Sequence, residues 1–190
     1  AEAIRSIQPW VDEILVLDGG SSDGTAELAE GLGARVLRHP FDGFVAQKAR
    51  ATAAARFDRV FALDADERVD VELGEALRGA GGFAAWALRR RNYLDGQPLR
   101  ASGWYPDLRI RLFDRRRAGW VGPDPHDRVE ALGPVGRLPG HLHHDPDRSL
   151  AEYRASTLAH ARRRAATLVE GGARPGPLIP WLHGAAHLAR

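Results

Sequence analysis

Val60-Phe61-Ala62-Leu63-Asp64-Ala65-Asp66-Glu67 is an apolar run closed by three carboxylates within four residues. A strand that ends in clustered negative charge puts it at the carboxyl edge of a sheet, where open α/β proteins hold their ligands. Carboxylates this close repel one another unless positive charge sits among them, and a hard divalent cation with oxygen ligands is the usual candidate. Asp64 and Asp66 therefore read as a metal-diphosphate site. The plainer alternative is a strand-to-helix turn in which Asp66 caps a helix starting near Val69.

Working outward from that turn, elements alternate. Residues 13–18 form a buried-strand pattern that also ends in a carboxylate, Asp18, and a Gly/Ser turn leads into a helix over 25–32 that Gly33 ends. Residues 34–38 read as a second strand, 44–56 as an Ala-rich helix and 59–63 as the third strand. Strand, helix, strand, helix, strand predicts a parallel sheet with right-handed crossovers. Beyond Glu67 the pattern changes to a helix near 71–78, strands near 84–90 and 108–113, and loops rich in Gly, Pro and His. An Arg-rich amphipathic helix is predicted over 149–170, followed by Pro175-Gly176-Pro177 and a short apolar tail.

Composition bounds the chemistry. The chain has 190 residues, 44% hydrophobic and 27% charged, enough for one globular domain with a sizeable core. No apolar stretch approaches the roughly 20 residues that span a bilayer. With no Cys, disulfides, thiolate metal sites and a cysteine nucleophile are excluded, and Asp, Glu and His remain as metal ligands. The net charge is only +2, and the clusters Arg89-Arg90-Arg91, Arg115-Arg116-Arg117 and Arg162-Arg163-Arg164 are scattered and lack interleaved aromatics, so no nucleic-acid partner is expected. The chain opens on Ala1 and holds no Met, which suggests a piece of a longer protein.

The first turn carries its own signal. Asp18-Gly19-Gly20-Ser21-Ser22-Asp23-Gly24-Thr25 turns on small residues into a helix, bringing backbone N–H groups to where a nucleotide can approach. It has neither the G-x-G-x-x-G spacing nor the Gly-Lys-Ser/Thr of a phosphate loop, so hydride transfer and ATP hydrolysis are disfavoured. Its structural reading is a βα loop with Ser22 or Asp23 as the helix cap.

Val16-Leu17-Asp18-Gly19-Gly20-Ser21-Ser22-Asp23-Gly24-Thr25, then Asp42-Gly43-Phe44-Val45-Ala46-Gln47-Lys48, then Leu63-Asp64-Ala65-Asp66-Glu67-Arg68 strongly resemble the family 2 glycosyltransferases. Arg91-Asn92-Tyr93, Gly103-Trp104-Tyr105-Pro106-Asp107, Arg109-Ile110-Arg111-Leu112-Phe113, Pro125-His126-Asp127-Arg128-Val129 and 133–138 are similar, in order and spacing, to the bacterial branch containing lipopolysaccharide core beta-glucosyltransferases.

The resemblance implies an α/β GT-A fold, a mostly parallel sheet flanked by helices, over residues 1–170. Relatives begin with a strand this chain lacks, so the domain is expected to be N-terminally truncated, with 171–190 a tail suited to membrane contact. Also implied is inverting transfer of a sugar from a nucleotide-diphosphate donor, UDP-glucose-like, to a cell-envelope acceptor such as the lipopolysaccharide core. Mg²⁺ or Mn²⁺ would neutralise the leaving diphosphate, and the location would be the inner face of the cytoplasmic membrane, as a peripheral protein. By the same resemblance, Asp66 and His144 are the metal ligands. Asp18, Gly19, Lys48, Asp64 and Asp66 bind the donor, and Asp107 is the general base, with Asp127 the alternative.

Two positions depart from the family pattern: Gly19 stands where many relatives have a second Asp that reads the base, and Ala49 where they often have Asn. A related enzyme with a peptide or polyprenyl-phosphate acceptor, or an inactive sugar-nucleotide-binding module, remain as alternatives.

Overall fold

The computed structural model describes residues 1–100, 103–124, 126–145 and 149–152, with isolated positions from there to 172. Most of the helix expected over 149–170, and the tail after Pro175, lie outside the described residues. The chain forms two compact units, residues 1–90 with 108–143, and residues 91–107 with 144–190.

The first half of the first unit follows the alternating pattern. Helix α1 (Glu2–Ile7) leads through a short 3₁₀ turn to strand β1 (Leu15–Asp18), helix α2 (Thr25–Gly31), strand β2 (Arg35–Arg38), helix α3 (Phe44–Ala54) and strand β3 (Arg59–Phe61). β1 and β2 pair in parallel, Leu15 opposite Arg35 and Asp18 opposite Arg38. The cap of α2 differs from expectation. Gly24, at φ 80°, holds the N-cap position, and Asp23 instead folds the loop by accepting from the N–H and hydroxyl of Thr25.

After the carboxylate turn the chain forms a short strand, β4 (Glu67–Val69), before helix α4 (Val71–Gly79). This corrects the capping expectation, because β4 separates Asp66 from the helix and Asp70 is the cap, its side chain accepting from Leu73 N–H. Such a cap is worth about 1 kcal/mol. Strands β5 (Ala85–Leu94), β6 (Gln97–Pro98), β7 (Asp107–Asp114), β8 (Ala118–Val121), β9 (Arg128–Ala131) and β10 (Val135–His144) follow. β8 and β9 pair antiparallel, while the main sheet runs in the order β3, β7, β5, β10, β4.

β3 joins this sheet antiparallel to β7, Val60 opposite Phe113 and Phe61 opposite Leu112, so the parallel arrangement predicted for the first three strands extends only to β1 and β2. The same register continues as Ala62 N–H donates to the Arg111 carbonyl, which carries the Arg111 side chain to the turn that β3 enters.

The core of the first unit packs Leu73 and Leu77 of α4 against Leu88, Leu112, Leu138 and Leu142 of the sheet, with Ile7 of α1. Leu73, Leu88 and Leu142 are fully buried, each worth about 1.5–3 kcal/mol of apolar transfer. In β10, Gly136, Leu138, Gly140 and Leu142 all face inward. Gly140 has φ 77°, and a Cβ there would stand 2.3 Å from the Leu73 nitrogen, so only glycine lets β10 come this close to the start of α4.

Candidate functional site

The protein itself supplies positive charge to the carboxylate turn, at Asp64 and at Glu67. Glu67 is fully buried and Arg111 nearly so. Arg111 Nη2 donates to Asp64 Oδ2 at 2.6 Å and to Glu67 Oε1 at 2.6 Å. Glu67 Oε2 also accepts from the Asp64 N–H at 3.0 Å, and Arg90 lies 3.6 Å from Glu67 Oε1. Glu67 is thus the counter-ion that keeps Arg111 inside, and Arg111 in turn holds Asp64. The sequence singled out neither role; the signals were a third acid directly after Asp-x-Asp and an arginine among the apolar residues of β7.

Asp64 has a second cation. Lys48 Nζ sits 3.0 Å from Asp64 Oδ1 and 2.8 Å from Asp127 Oδ2, and 4.9 Å from the centre of the Trp120 ring. Trp120 Nε1 donates to the Thr52 hydroxyl, which donates to the Lys48 carbonyl, so the lysine's own turn of α3 is tied to β8. Lys48, Asp64 and Asp127, three residues chosen separately from the sequence, therefore form one ion-pair chain.

Burial pushes the Asp64 carboxyl upward, but Arg111 and Lys48 outweigh it and hold the group at about 2, below its ordinary 3.8. A depressed folded-state value stabilises the fold above the unfolded value, and this contribution disappears as pH falls through the folded one. Chemical denaturation of the wild type should therefore need progressively less urea as pH drops from about 4 to about 2. Asp64→Asn should flatten that part of the profile; an unchanged slope would remove Asp64 from the linkage.

Asp66 occupies the turn itself and is exposed. Asp64 is part-buried, and both its oxygens are engaged by cations. A hard divalent ion takes carboxylate oxygens, so Asp66 is the residue of the motif that could hold one from solvent, with Asp64 beside it. Asp18, buried at the end of β1, accepts from the N–H groups of Gly20 and Ser21, both at 3.0 Å. The Ser21 hydroxyl and these amides hold its carboxyl below the usual range. Gly19 is exposed beside it, and a Cβ there would make ordinary contact with Phe41.

In the second unit, buried Asn92 joins the two remaining residues singled out from the sequence. Its Oδ1 lies 2.7 Å from His144 Nδ1, and its Nδ2 donates to the Trp104 carbonyl at 3.2 Å and, at 3.4 Å, toward Asp107 Oδ2. Because the amide oxygen can only accept, His144 Nδ1 carries the proton and the lone pair falls on Nε2, the tautomer of an imidazole that ligates through Nε2. Asn92 stood inside a family motif but drew no role from sequence alone. The same unit has a cavity of about 320 Å³ lined by Arg91, Leu99, Arg100 and Tyr105, with the Arg91 guanidinium over the Tyr105 ring at 5.8 Å.

An α/β sheet with a carboxylate turn at a strand end is the architecture of GT-A glycosyltransferases, and solved structures agree on the fold. The mannosyl-3-phosphoglycerate synthase of Rubrobacter xylanophilus matches over 92% of this chain and 72% of its own, with TM-score 0.51 and 21% identity. A mycobacterial protein matches over 78% and 63%, with TM-score 0.50 and 23% identity.

Residues 1–81 match the model of Glycosyl transferase family 2. The lipopolysaccharide core biosynthesis glycosyltransferase LpsC of Rhizobium meliloti is 31% identical over 86% of this chain and 64% of its own length. Uncharacterized glycosyltransferases of Rickettsia typhi and Rickettsia felis are 27% and 40% identical over 90% and 40% of the chain. The chain is thus similar to the family 2 glycosyltransferases over residues 1–81, and to LpsC over most of its own length. It spans 64% of the length of the Rickettsia typhi relative and 27% of the Rickettsia felis one.

Proposed function

We propose that this protein is an inverting, metal-dependent glycosyltransferase that moves a sugar from a nucleotide-diphosphate donor, UDP-glucose-like, to a cell-envelope acceptor of the lipopolysaccharide-core kind. The observation that carries the reading is the division of labour at the carboxylate turn. Arg111 and Lys48 hold the part-buried Asp64, and Asp66 is the exposed aspartate of the motif. The acceptor is argued from the likeness to LpsC over most of the chain.

Asp18 and Gly19 line the nucleotide side, Lys48 and Asp64 face the diphosphate, and Asp66 is the ligand of Mg²⁺ or Mn²⁺. The bound cation supplies charge neutralisation for the leaving diphosphate. Asp107 takes the proton from the acceptor hydroxyl as its oxygen bonds to the anomeric carbon, and the bond from that carbon to the diphosphate oxygen breaks on the opposite face. Asn92 keeps both Asp107 and His144 oriented. Asp127 is the less favoured base, since its Oδ2 is engaged by the Lys48 ammonium. No helix among the described residues is long and apolar enough to cross a membrane; the proposed location is peripheral, at the inner membrane face.

Calorimetric titration of UDP and UDP-glucose with Mn²⁺ or Mg²⁺, repeated in EDTA, tests the donor site. Binding is expected only with metal, and Asp66→Ala should remove it and lower turnover by about 10²-fold or more. Wild-type turnover in Asp66→Ala would overturn the metal assignment.

A further inference from the structure

We infer that the junction of α4 and β10 is a second metal site, for a transition ion of the Zn²⁺ type, built from Asp70, Glu72, His141 and His143. The inference is independent of the donor site. Ligand atoms of Asp70, Glu72 and His141 lie within 4.8 Å of one another. His143, two residues along β10 from His141, brings its Nε2 to 3.9 Å from Asp70 Oδ2. Residues two apart on a strand share a face, and the inward Leu142 between these two histidines leaves both rings on the opposite one.

The distance from His141 to Asp70 is that of two ligands rather than of a hydrogen-bonded ion pair. His141 Nδ1 stands 3.4 Å from Asp70 Oδ2, beyond the roughly 2.7–3.2 Å of an ordinary hydrogen bond. Two ligands each about 2.0–2.1 Å from a tetrahedral ion are separated by about 3.4 Å. His143 Nε2 has about 0.5 Å to close on Asp70 Oδ2 to reach that separation, and its ring, centred 6.5 Å from that of His141, must turn toward the other three to complete the set.

The carboxylate is also pre-set. Asp70 Oδ1 accepts from Leu73 N–H at 2.8 Å and Oδ2 from His141 N–H at 2.9 Å, while the Asp70 N–H donates to the His141 carbonyl. Backbone donors fixing a ligating oxygen are what an outer coordination shell supplies, and the close approach at Gly140 brings the two elements together. Asp70, His141 and His143 are half-buried, with side chains 26%, 16% and 25% exposed, so an ion can enter. Two neutral imidazoles and two carboxylates balance a divalent charge. They suit Zn²⁺ and its transition-metal neighbours, whereas Mg²⁺ and Ca²⁺ take oxygen ligands. Such an ion would clip β10 to the first turn of α4.

The test is titration of the untagged, metal-stripped chain with Co²⁺, read by the visible absorption of a low-coordinate cobalt ion, then displacement by Zn²⁺. One equivalent is expected, unaffected by Asp66→Ala. Glu72→Gln, an exposed and nearly isosteric change, and His143→Gln should each weaken binding at least about 10-fold with the far-ultraviolet circular dichroism unchanged. The inference is overturned if no such band forms, if the band survives both variants, or if Asp66→Ala abolishes it.

Discussion

Asp107→Asn is expected to reduce sugar transfer by about 10²–10⁴-fold, the usual worth of a positioned general base, while leaving donor affinity at the wild-type level. The substitution is nearly isosteric. Its amide oxygen can still accept from Asn92 Nδ2, which lies 3.4 Å from Asp107 Oδ2, so His144 and the Trp104 segment keep their anchor. What disappears is the basic carboxylate oxygen proposed to take the acceptor proton. Donor binding by calorimetry and kcat with saturating donor separate the possibilities. Unchanged turnover, or lost donor affinity, would move Asp107 out of the base role.

The second large effect is on stability. Arg111→Met should destabilise the fold by about 3–5 kcal/mol, since it strips a fully buried Glu67 of its principal counter-ion. Arg90, at 3.6 Å, is a poor replacement. The double variant Arg111→Met with Glu67→Gln should recover much of that loss, because breaking a buried pair costs more than replacing both members. Urea denaturation of the two single variants and the double variant gives the coupling directly. A single-variant change within about 0.5 kcal/mol, the range of ordinary surface substitutions, would show that the pair is not buried in solution.

The first 79 residues were largely legible in the sequence, because apolar runs bounded by Gly and Asp encode the strand and helix alternation locally. The second half was less so. β10 is a ten-residue strand, yet its inward positions alternate Gly, Leu, Gly, Leu and its outward ones include Pro139, so its composition resembles a loop. β8 and β9 are short and gain meaning only when paired. Asp64, Asp66, Lys48 and Asp127 were visible as residues, but the partnership of Lys48 with two of them joins positions far apart in the chain. Asn92 and Glu67 were missed as functional residues for the same reason. Their roles come from burial and from a partner on another strand, neither of which a local motif records.

The Glu67–Arg111 and Asp64–Arg111 bonds link residues 44 and 47 apart in sequence, and this long reach has a kinetic consequence. Contacts of such separation form only after the loop-closure entropy has been met. Until β7 docks, the turn has its local bonds between Asp64 and Glu67 but lacks the arginine that offsets the repulsion of the two carboxylates. The turn should therefore acquire its geometry late in folding, as a readout of whether the antiparallel register has been found. A register slip of one residue would carry Arg111 to the other face of the sheet and leave the buried Glu67 without its principal counter-ion, so the same charges that shape the turn also penalise the misfolded alternatives.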